Sequence, residues 1–344
     1  MKAKSLKSKN LELHKRERES KRATFRSYPP MLQLEPTTRC TQSCPVCARN
    51  YYDRSLNPPV DMQPWVLERL ESAAVHTSEV VLGGYGEPLI AENIERIVEF
   101  FKERGCTVEI ITGVVPLASE ETRRMLFELE VDRLRLSVDG VSRKTLKAIR
   151  GVDADDLFSI LEEIGSLVRT GRPELAINFT ANLVNIDELP QLVERAGERG
   201  VAKVFVFFQK IYTRSQAQMN IFLDPCRVSA AIERARELAS GCGVELIAPD
   251  ISEREVECSQ PLELLFIRAD GEVLGCCSAV FAGHRWRLSL GSLEDSDIMD
   301  LWNHPTMQAF RKAVYSGDAG LYPEPCRACA FRVHSVESHF RFLD

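Results

Sequence analysis

Three cysteines fall within one short run, Cys40-Thr-Gln-Ser-Cys44-Pro-Val-Cys47. Thiolates are soft donors that select zinc or iron–sulfur clusters over hard cations. A [4Fe-4S] cube has four iron corners, and iron–sulfur proteins ordinarily cap all four with cysteine. Three local thiols leave one corner open. An open position on a metal is where a ligand binds, and an amino and carboxylate pair can chelate there. A structural zinc site or a redox-sensing cluster would draw on the same residue types.

Other groups suited to chemistry lie downstream. A second cysteine set comprises Cys258, the adjacent Cys276 and Cys277, and Cys326-Arg-Ala-Cys329. Four thiolates saturate a cube, which suits it to moving electrons rather than gripping a substrate. A four-cysteine zinc ribbon would satisfy the same spacing. The run Gly83-Gly84-Tyr85-Gly86-Glu87-Pro88 lets backbone approach a ligand closely. Thr112-Gly113 and Ser137-Val138-Asp139-Gly140 each end an apolar run, and Ser137 can donate or accept hydrogen bonds. Asp139-Gly140 also reads as a plain turn and helix cap. Arg150 offers a bidentate partner for a carboxylate, and its alternative is a surface arginine. Asn182 lies in a comparable position beyond a strand. Asp224-Pro225-Cys226 reads as the N-cap, N1 and N2 of a helix. A thiol at a helix N-terminus gains reactivity, so Cys226 is a candidate hydrogen donor beside its alternative as a packing thiol.

The elements that must position these groups alternate. Strands are expected at Met31–Glu35, Val80–Leu82, Thr107–Thr112, Leu134–Val138, Leu175–Thr180 and Val204–Phe208. Helices are expected at Pro64–Ala74, Ile94–Arg104, Ser119–Leu129, Leu157–Thr170, Leu189–Arg199 and Arg227–Ser240. Six strand–helix units imply a parallel sheet with right-handed crossovers and chemistry at the C-terminal strand ends. After Gly243 the pattern changes to strands at Val244–Ala248, Leu264–Arg268 and Glu272–Leu274, with Asp270-Gly271 as a hairpin turn. Helices at Ile298–Trp302 and Met307–Val314 follow.

The spacing C-x3-C-x2-C after the first strand resembles the radical S-adenosylmethionine (SAM) superfamily. The Gly84–Pro88 run resembles that family's GGEP element, and Ser137–Gly140 resembles its S-[IVL]-D-G element. One departure is Val46, where the family often has an aromatic residue. The resemblance covers most of Met31 to Ser240. It implies an α/β partial (β/α)6 TIM-like barrel and SAM on the open iron, contacted by Gly84, Gly86, Glu87, Pro88, Thr112, Ser137, Asp139, Arg150 and Asn182. It also implies reductive cleavage of SAM to a 5′-deoxyadenosyl radical that abstracts hydrogen from an unreactive carbon. Cys258-x12-Gly271-x4-Cys276, together with Gly291-Ser-Leu-Glu-Asp, Leu301-Trp302-Asn303 and Arg311, resembles the family's SPASM extension. Ser335 stands where a further cysteine is usual, which brings the region closer to the shortened twitch form, a small α+β domain. One auxiliary [4Fe-4S] cluster is then expected on Cys258, Cys276, Cys326 and Cys329, with Cys277 as an alternative to Cys276. The expected division is a basic flexible arm over 1–27, a radical SAM barrel over 28–242 and an auxiliary-cluster domain over 243–344.

Composition bounds the function. The net charge is -6. Residues 1–26 carry ten Lys/Arg against three Glu, leaving an acidic remainder unsuited to nucleic acid. Eleven cysteines without an apolar leader favour metal chemistry over disulfides and a cytoplasmic setting. No apolar run is long enough for a membrane span. The expected substrate is a sugar, an aminocyclitol-like small molecule or a peptide. The brevity of the segment before the first cysteine motif favours the small molecule. The expected outcome is oxidation through the auxiliary cluster or hydrogen return from a thiol, as in dehydrogenases and epimerases. The implied partner is a low-potential donor such as flavodoxin or ferredoxin. A non-catalytic electron carrier or sensor is the competing class.

Overall fold

The computed structural model describes residues 2–51, 58–152, 154–167, 173–252, 255–277, 288–327, 329 and 332–339. The strands are β1 (Met31–Leu34), β2 (Glu79–Leu82), β3 (Thr107–Thr112), β4 (Arg133–Ser137), β5 (Glu174–Ala181), β6 (Lys203–Phe208), β7 (Glu245–Ile247), β8 (Leu264–Ile267), β9 (Glu272–Leu274) and β10 (Ser289–Ser292). The helices between them include α1 (Lys2–Glu19), α2 (Pro64–Arg69), α3 (Glu71–Ala74), α4 (Ile94–Glu103), α5 (Glu120–Glu128), α6 (Arg143–Arg150), α7 (Ala154–Leu167), α8 (Leu189–Glu198) and α9 (Pro225–Cys242). Apolar spacing explains the crossovers. Ile94, Ile97, Val98 and Phe101 bury one stripe of α4, and Leu189, Leu192, Val193 and Ala196 bury one stripe of α8. α6 is absent from the sequence expectation. The expected α7 extends to Thr170, and its last residues lie outside the described ones.

The chain forms two compact units, each built from separated segments. The first comprises Met1–Cys40, Asp53–Ile110 and Glu257–Ala328, and the second Thr41–Tyr52, Ile111–Val256 and Cys329–Asp344. This is not the chain-order division at residue 242. In the first unit the strand order is β10-β9-β8-β1-β2-β3. Strands β8, β1, β2 and β3 run parallel, whereas β9 returns antiparallel to β8 and β10 to β9. The C-terminal region therefore extends the sheet that holds the first cysteine strand. In the second unit β4-β5-β6-β7 are parallel throughout. β7, expected as the opening of the C-terminal domain, pairs instead with β6.

The expected flexible arm is a helix. α1 buries Lys7, Asn10, His14 and Glu17. The Lys7 ammonium donates to Ala74 O at 2.7 Å and to Thr77 O, and lies 3.2 Å from Cys106 Sγ. Its face is polar, with Lys7, Asn10, Glu17 and His14 Nδ1 hydrogen-bonded, so apolar periodicity gives no sign of it. Arg311 secures the segment after α1. On the helix after α11 (α10 Gln260–Glu263, α11 Ile298–Trp302, α12 Pro305–Ser316), it donates to Pro261 O, Trp302 O and Ala23 O. Its guanidinium lies between Phe25 and Trp302, about 4 Å from each ring. Burial pushes its pKa down to about 9.

Candidate active site

The first unit holds the approach to Cys40. After β1, the buried Glu35 accepts the Tyr85 N–H at 2.7 Å. Burial pushes its carboxyl up, against the pull of Arg268, whose Nε is 3.6 Å away. Thr38 N–H donates to Val60 O at 2.9 Å, and Arg39 pairs with Asp61. Burial pushes the Asp61 carboxyl up, but the Arg39 guanidinium, Thr37 and the Glu92 N–H outweigh it and hold it below the usual range. The glycine run packs directly on this segment. A Cβ on Gly86 would stand 2.2 Å from Thr37 O and 2.4 Å from Arg39 O, and one on Gly84 would stand 2.9 Å from Glu35 Cβ. Glu87 N–H donates to Arg39 O at 2.8 Å, while its buried carboxylate accepts Leu89 N–H and caps the turn Pro88–Ile90. Gly84, Gly86, Glu87 and Pro88 thus fix the backbone that delivers Cys40.

The second unit holds the rest of the motif. Cys44 is buried and Cys47 half-exposed, on a turn in which Cys47 N–H donates to Cys44 O at 2.9 Å. Asn50 donates to the same carbonyl at 2.7 Å. Pro45 O receives the Gln216 carboxamide at 3.2 Å, which ties the loop after β6 to the cysteine loop. Burial pushes the Cys44 thiol up, and Arg150 is the main opposing influence. Arg150 Nη1 lies 3.3 Å from the buried Asp139 carboxylate, which accepts Thr180 N–H at 2.6 Å. Burial raises Asp139 against these partners. Glu188 accepts Val141 N–H, Ser142 N–H and the hydroxyls of Ser142 and Thr145, all within 3.0 Å, and locks the turn after Gly140.

Asn182 is buried in a turn, accepting Val184 N–H at 2.8 Å. Thr112 is buried at the end of β3, and Ser137 ends β4 opposite Asn178. Cys226 is exposed at N2 of α9, with Asp224 as N-cap as expected. Glu35, Glu188 and Gln216 escaped sequence reading. A lone carboxylate directly after an apolar strand was the available sign for Glu35. Gln209 escaped too. It follows β6, is 2 % exposed, and among the described residues neither polar atom of its side chain has a hydrogen-bond partner.

The second cysteine set lies mostly in the first unit. Gly271, at φ +83°, turns the β8–β9 hairpin against Trp65, where a Cβ would stand 2.3 Å from the ring. Cys276 and Cys277 follow that hairpin, and Cys277 Sγ lies 3.5 Å from Gln260 Oε1. Cys258 precedes α10, Cys326 is on α13 (Glu324–Arg327), and Cys329 belongs to the second unit. Among the described residues no three His, Cys, Asp or Glu side chains close on one point as ligands of a single ion do. The thiolates of a cube cap separate irons and require no such convergence. Soft, exclusively thiol donors on short loops fit iron–sulfur clusters.

Residues 34–196 match the radical SAM superfamily model, and residues 258–330 match SPASM, an iron–sulfur cluster-binding domain. The chain is a radical SAM–SPASM protein. Among curated relatives of this radical SAM–SPASM chain, PqqA peptide cyclase from Methylobacterium nodulans is 26% identical over 313 residues, covering 88% of this chain and 78% of that protein. A Pyrococcus furiosus tungsten-containing aldehyde ferredoxin oxidoreductase cofactor-modifying protein is 24% identical over 323 residues, covering 88% and 87%. In fold, it is similar to Streptococcus suis SuiB bound to precursor peptide SuiA (TM-score 0.64, 16% identity, 87% and 70% covered). It is likewise similar to anSMEcpe with bound AdoMet (TM-score 0.63, 17% identity, 83% of each chain). No helix among the described residues is long and apolar enough to cross a membrane.

Proposed function

We propose that this radical SAM enzyme modifies a peptide, removing hydrogen from an unreactive carbon in an oxidative bond-forming reaction. The observation that carries this is the 313-residue similarity to PqqA peptide cyclases, which runs through both domains rather than the first alone. It favours a peptide over the sugar or aminocyclitol expected from the short N-terminal segment. Cys40, Cys44 and Cys47 would hold the SAM-binding cluster, and Cys258, Cys276, Cys326 and Cys329 the auxiliary one, with Cys277 the alternative to Cys276. These groups supply a hydrogen-abstracting 5′-deoxyadenosyl radical from SAM and an electron acceptor for the product-forming step. The chain's own residues orient and enclose: Gly84 to Pro88 shape the backbone beside Cys40, and Gln216 ties the β6 loop to Pro45. Ser137 and Thr112, at the ends of β4 and β3 in the second unit, would contact SAM.

Oxidation is favoured over hydrogen return because the only thiol suggested for the latter, Cys226, is solvent-exposed. The electron would come from a flavodoxin or ferredoxin. The test is anaerobic turnover with SAM and peptides encoded beside this chain's gene, followed by mass spectrometry. Loss of two hydrogens from a peptide, coupled to 5′-deoxyadenosine release, supports the reading. Coupled turnover of an aminocyclitol with no peptide modified overturns it. Absence of 5′-deoxyadenosine under all conditions would leave an electron carrier.

A further inference from the structure

The glycine run of the first unit is gripped from β1 at alternate positions. Gln33 and Glu35 stand two residues apart, one within β1 and one just beyond it, so both side chains leave the same face of the strand. Gln33 Nε2 donates to Gly83 O at 2.9 Å, and Glu35 Oε1 accepts the Tyr85 N–H at 2.7 Å. These bonds hold the two peptide groups on either side of the Gly84 Cα. The grip is itself braced. The Glu35 side chain is 0% exposed, its Oε2 lies 3.6 Å from Arg268 Nε, and Arg268 Nη1 lies 2.8 Å from Glu272 at the start of β9. Gly83 N–H donates to Leu34 O at 2.8 Å. A Cβ on Gly84 would stand 2.9 Å from Glu35 Oε1, so the carboxylate also leaves no room for a side chain there.

In a planar trans peptide the N–H and C=O point in opposite directions. With Gly83 C=O turned toward Gln33, the Gly84 N–H points away from it. With Tyr85 N–H turned toward Glu35, the Gly84 C=O points away from that carboxylate. We propose that Gln33 and Glu35 are positioning residues for SAM: they aim the Gly84 carbonyl as an acceptor for the SAM ammonium without touching SAM themselves. An ammonium carries donors only, so it is recognised by acceptors. A carbonyl fixed before binding loses no freedom when the ligand arrives. The inference deepens the reading that the Gly84–Pro88 run faces SAM and rests on it, but it is independent of the substrate.

The test has two arms, both on the full-length protein. Hydrogen exchange of the metal-free protein is resolved to the Tyr85 amide. Glu35→Met should speed exchange at that amide about tenfold, whereas Glu35→Gln keeps a carbonyl oxygen at the acceptor position and should stay close to wild type. SAM affinity is then titrated on anaerobically reconstituted, oxidised protein whose iron content equals that of wild type. Gln33→Met and Glu35→Met should each weaken SAM binding about tenfold, and Glu35→Gln should restore it. A merely structural role would lower stability or iron content without a loss of affinity that Glu35→Gln reverses. Should Glu35→Met fail to fold, Gln33→Met carries the test, because Gln33 is only half-buried and its loss strands no charge. Wild-type affinity in Gln33→Met and Glu35→Met overturns the proposal, whether or not the Tyr85 amide is released. So does an equal weakening in Glu35→Gln. A wild-type protein that holds its iron yet binds no SAM refutes the reading of the glycine run and the proposal with it, whereas a wild type that binds SAM no more tightly than these variants refutes the positioning alone.

Discussion

Gly86→Ala is the sharpest perturbation of the site that requires no cofactor. The new methyl would stand 2.2 Å from Thr37 O and 2.4 Å from Arg39 O, and real Cβ atoms essentially never approach closer than 3.0 Å. Both obstacles are backbone carbonyls, so no side chain can rotate aside, and the segments must part by roughly 0.8 Å. Forced overpacking costs about 1–3 kcal/mol. The Glu87 N–H to Arg39 O bond at 2.8 Å breaks in the same movement, adding about 0.5–1.5 kcal/mol. A loss of about 1.5–4.5 kcal/mol follows from these two effects. Gly84→Ala is the milder comparison, because its nearest contacts are Glu35 Cβ and Oε1 at 2.9 Å, an overlap of roughly 0.1 Å against roughly 0.8 Å at Gly86; it should cost about 1 kcal/mol. Urea unfolding of the metal-free variants measures both, and reconstituted iron content reads the consequence for Cys40. A Gly86→Ala midpoint equal to wild type, or a larger loss in Gly84→Ala, would refute the reasoning that this glycine exists for backbone contact.

Other outcomes are equally specific. Glu188 is pushed up by burial but held below the usual carboxylate range by the hydroxyls and N–H groups of Val141, Ser142 and Thr145. Its contribution is therefore present above the ordinary carboxylate pKa and is lost as pH falls through the lowered one. Glu188→Gln should flatten the acid side of the stability profile, below the ordinary carboxylate range, while costing stability at neutral pH, as thermal melts at acid and neutral pH will reveal. Lys7→Ala strands the Ala74 and Thr77 carbonyls beneath α1 and should cost about 1–3 kcal/mol in denaturant melts. Substituting Cys40, Cys44 and Cys47 together by Ala should reduce reconstituted iron from about eight to about four per chain; a fall from about four to none would remove the auxiliary cluster.

The legibility of this chain follows the physics of its signals. β1 to β6 and most crossovers were visible because apolar residues repeat with the period of their element, as Ile94, Ile97, Val98 and Phe101 do. α6 was invisible because its run Arg-Lys-Thr-Leu-Lys-Ala-Ile-Arg buries only Thr145, Leu146 and Ile149. α1 was invisible for a stronger reason. Its buried positions are Lys7, Asn10, His14 and Glu17, which cost free energy to bury unless every polar atom finds a partner. Those partners, such as Ala74 O, Tyr28 O and Ser27, lie elsewhere in the chain, so no local pattern can announce them. The thiols were legible by residue type and spacing, but the groups that fix them were not.

Gln209 turns that same rule into a prediction. A buried carboxamide with no partner costs about 1–3 kcal/mol for each unmet group, and among the described residues Gln209 lacks partners for both its oxygen and its nitrogen. A bound molecule at this strand end would supply the missing donor and acceptor. Gln209→Leu has a similar volume and no polar atoms. It should therefore leave the metal-free protein as stable as wild type or more so, while weakening SAM-dependent turnover by about tenfold, equivalent to ~1.4 kcal/mol of lost binding. Denaturant melts and 5′-deoxyadenosine release distinguish the two effects. Reduced stability with unchanged turnover would mean that the carboxamide is bonded within the protein, and a ligand-facing role for the end of β6 would fall with it.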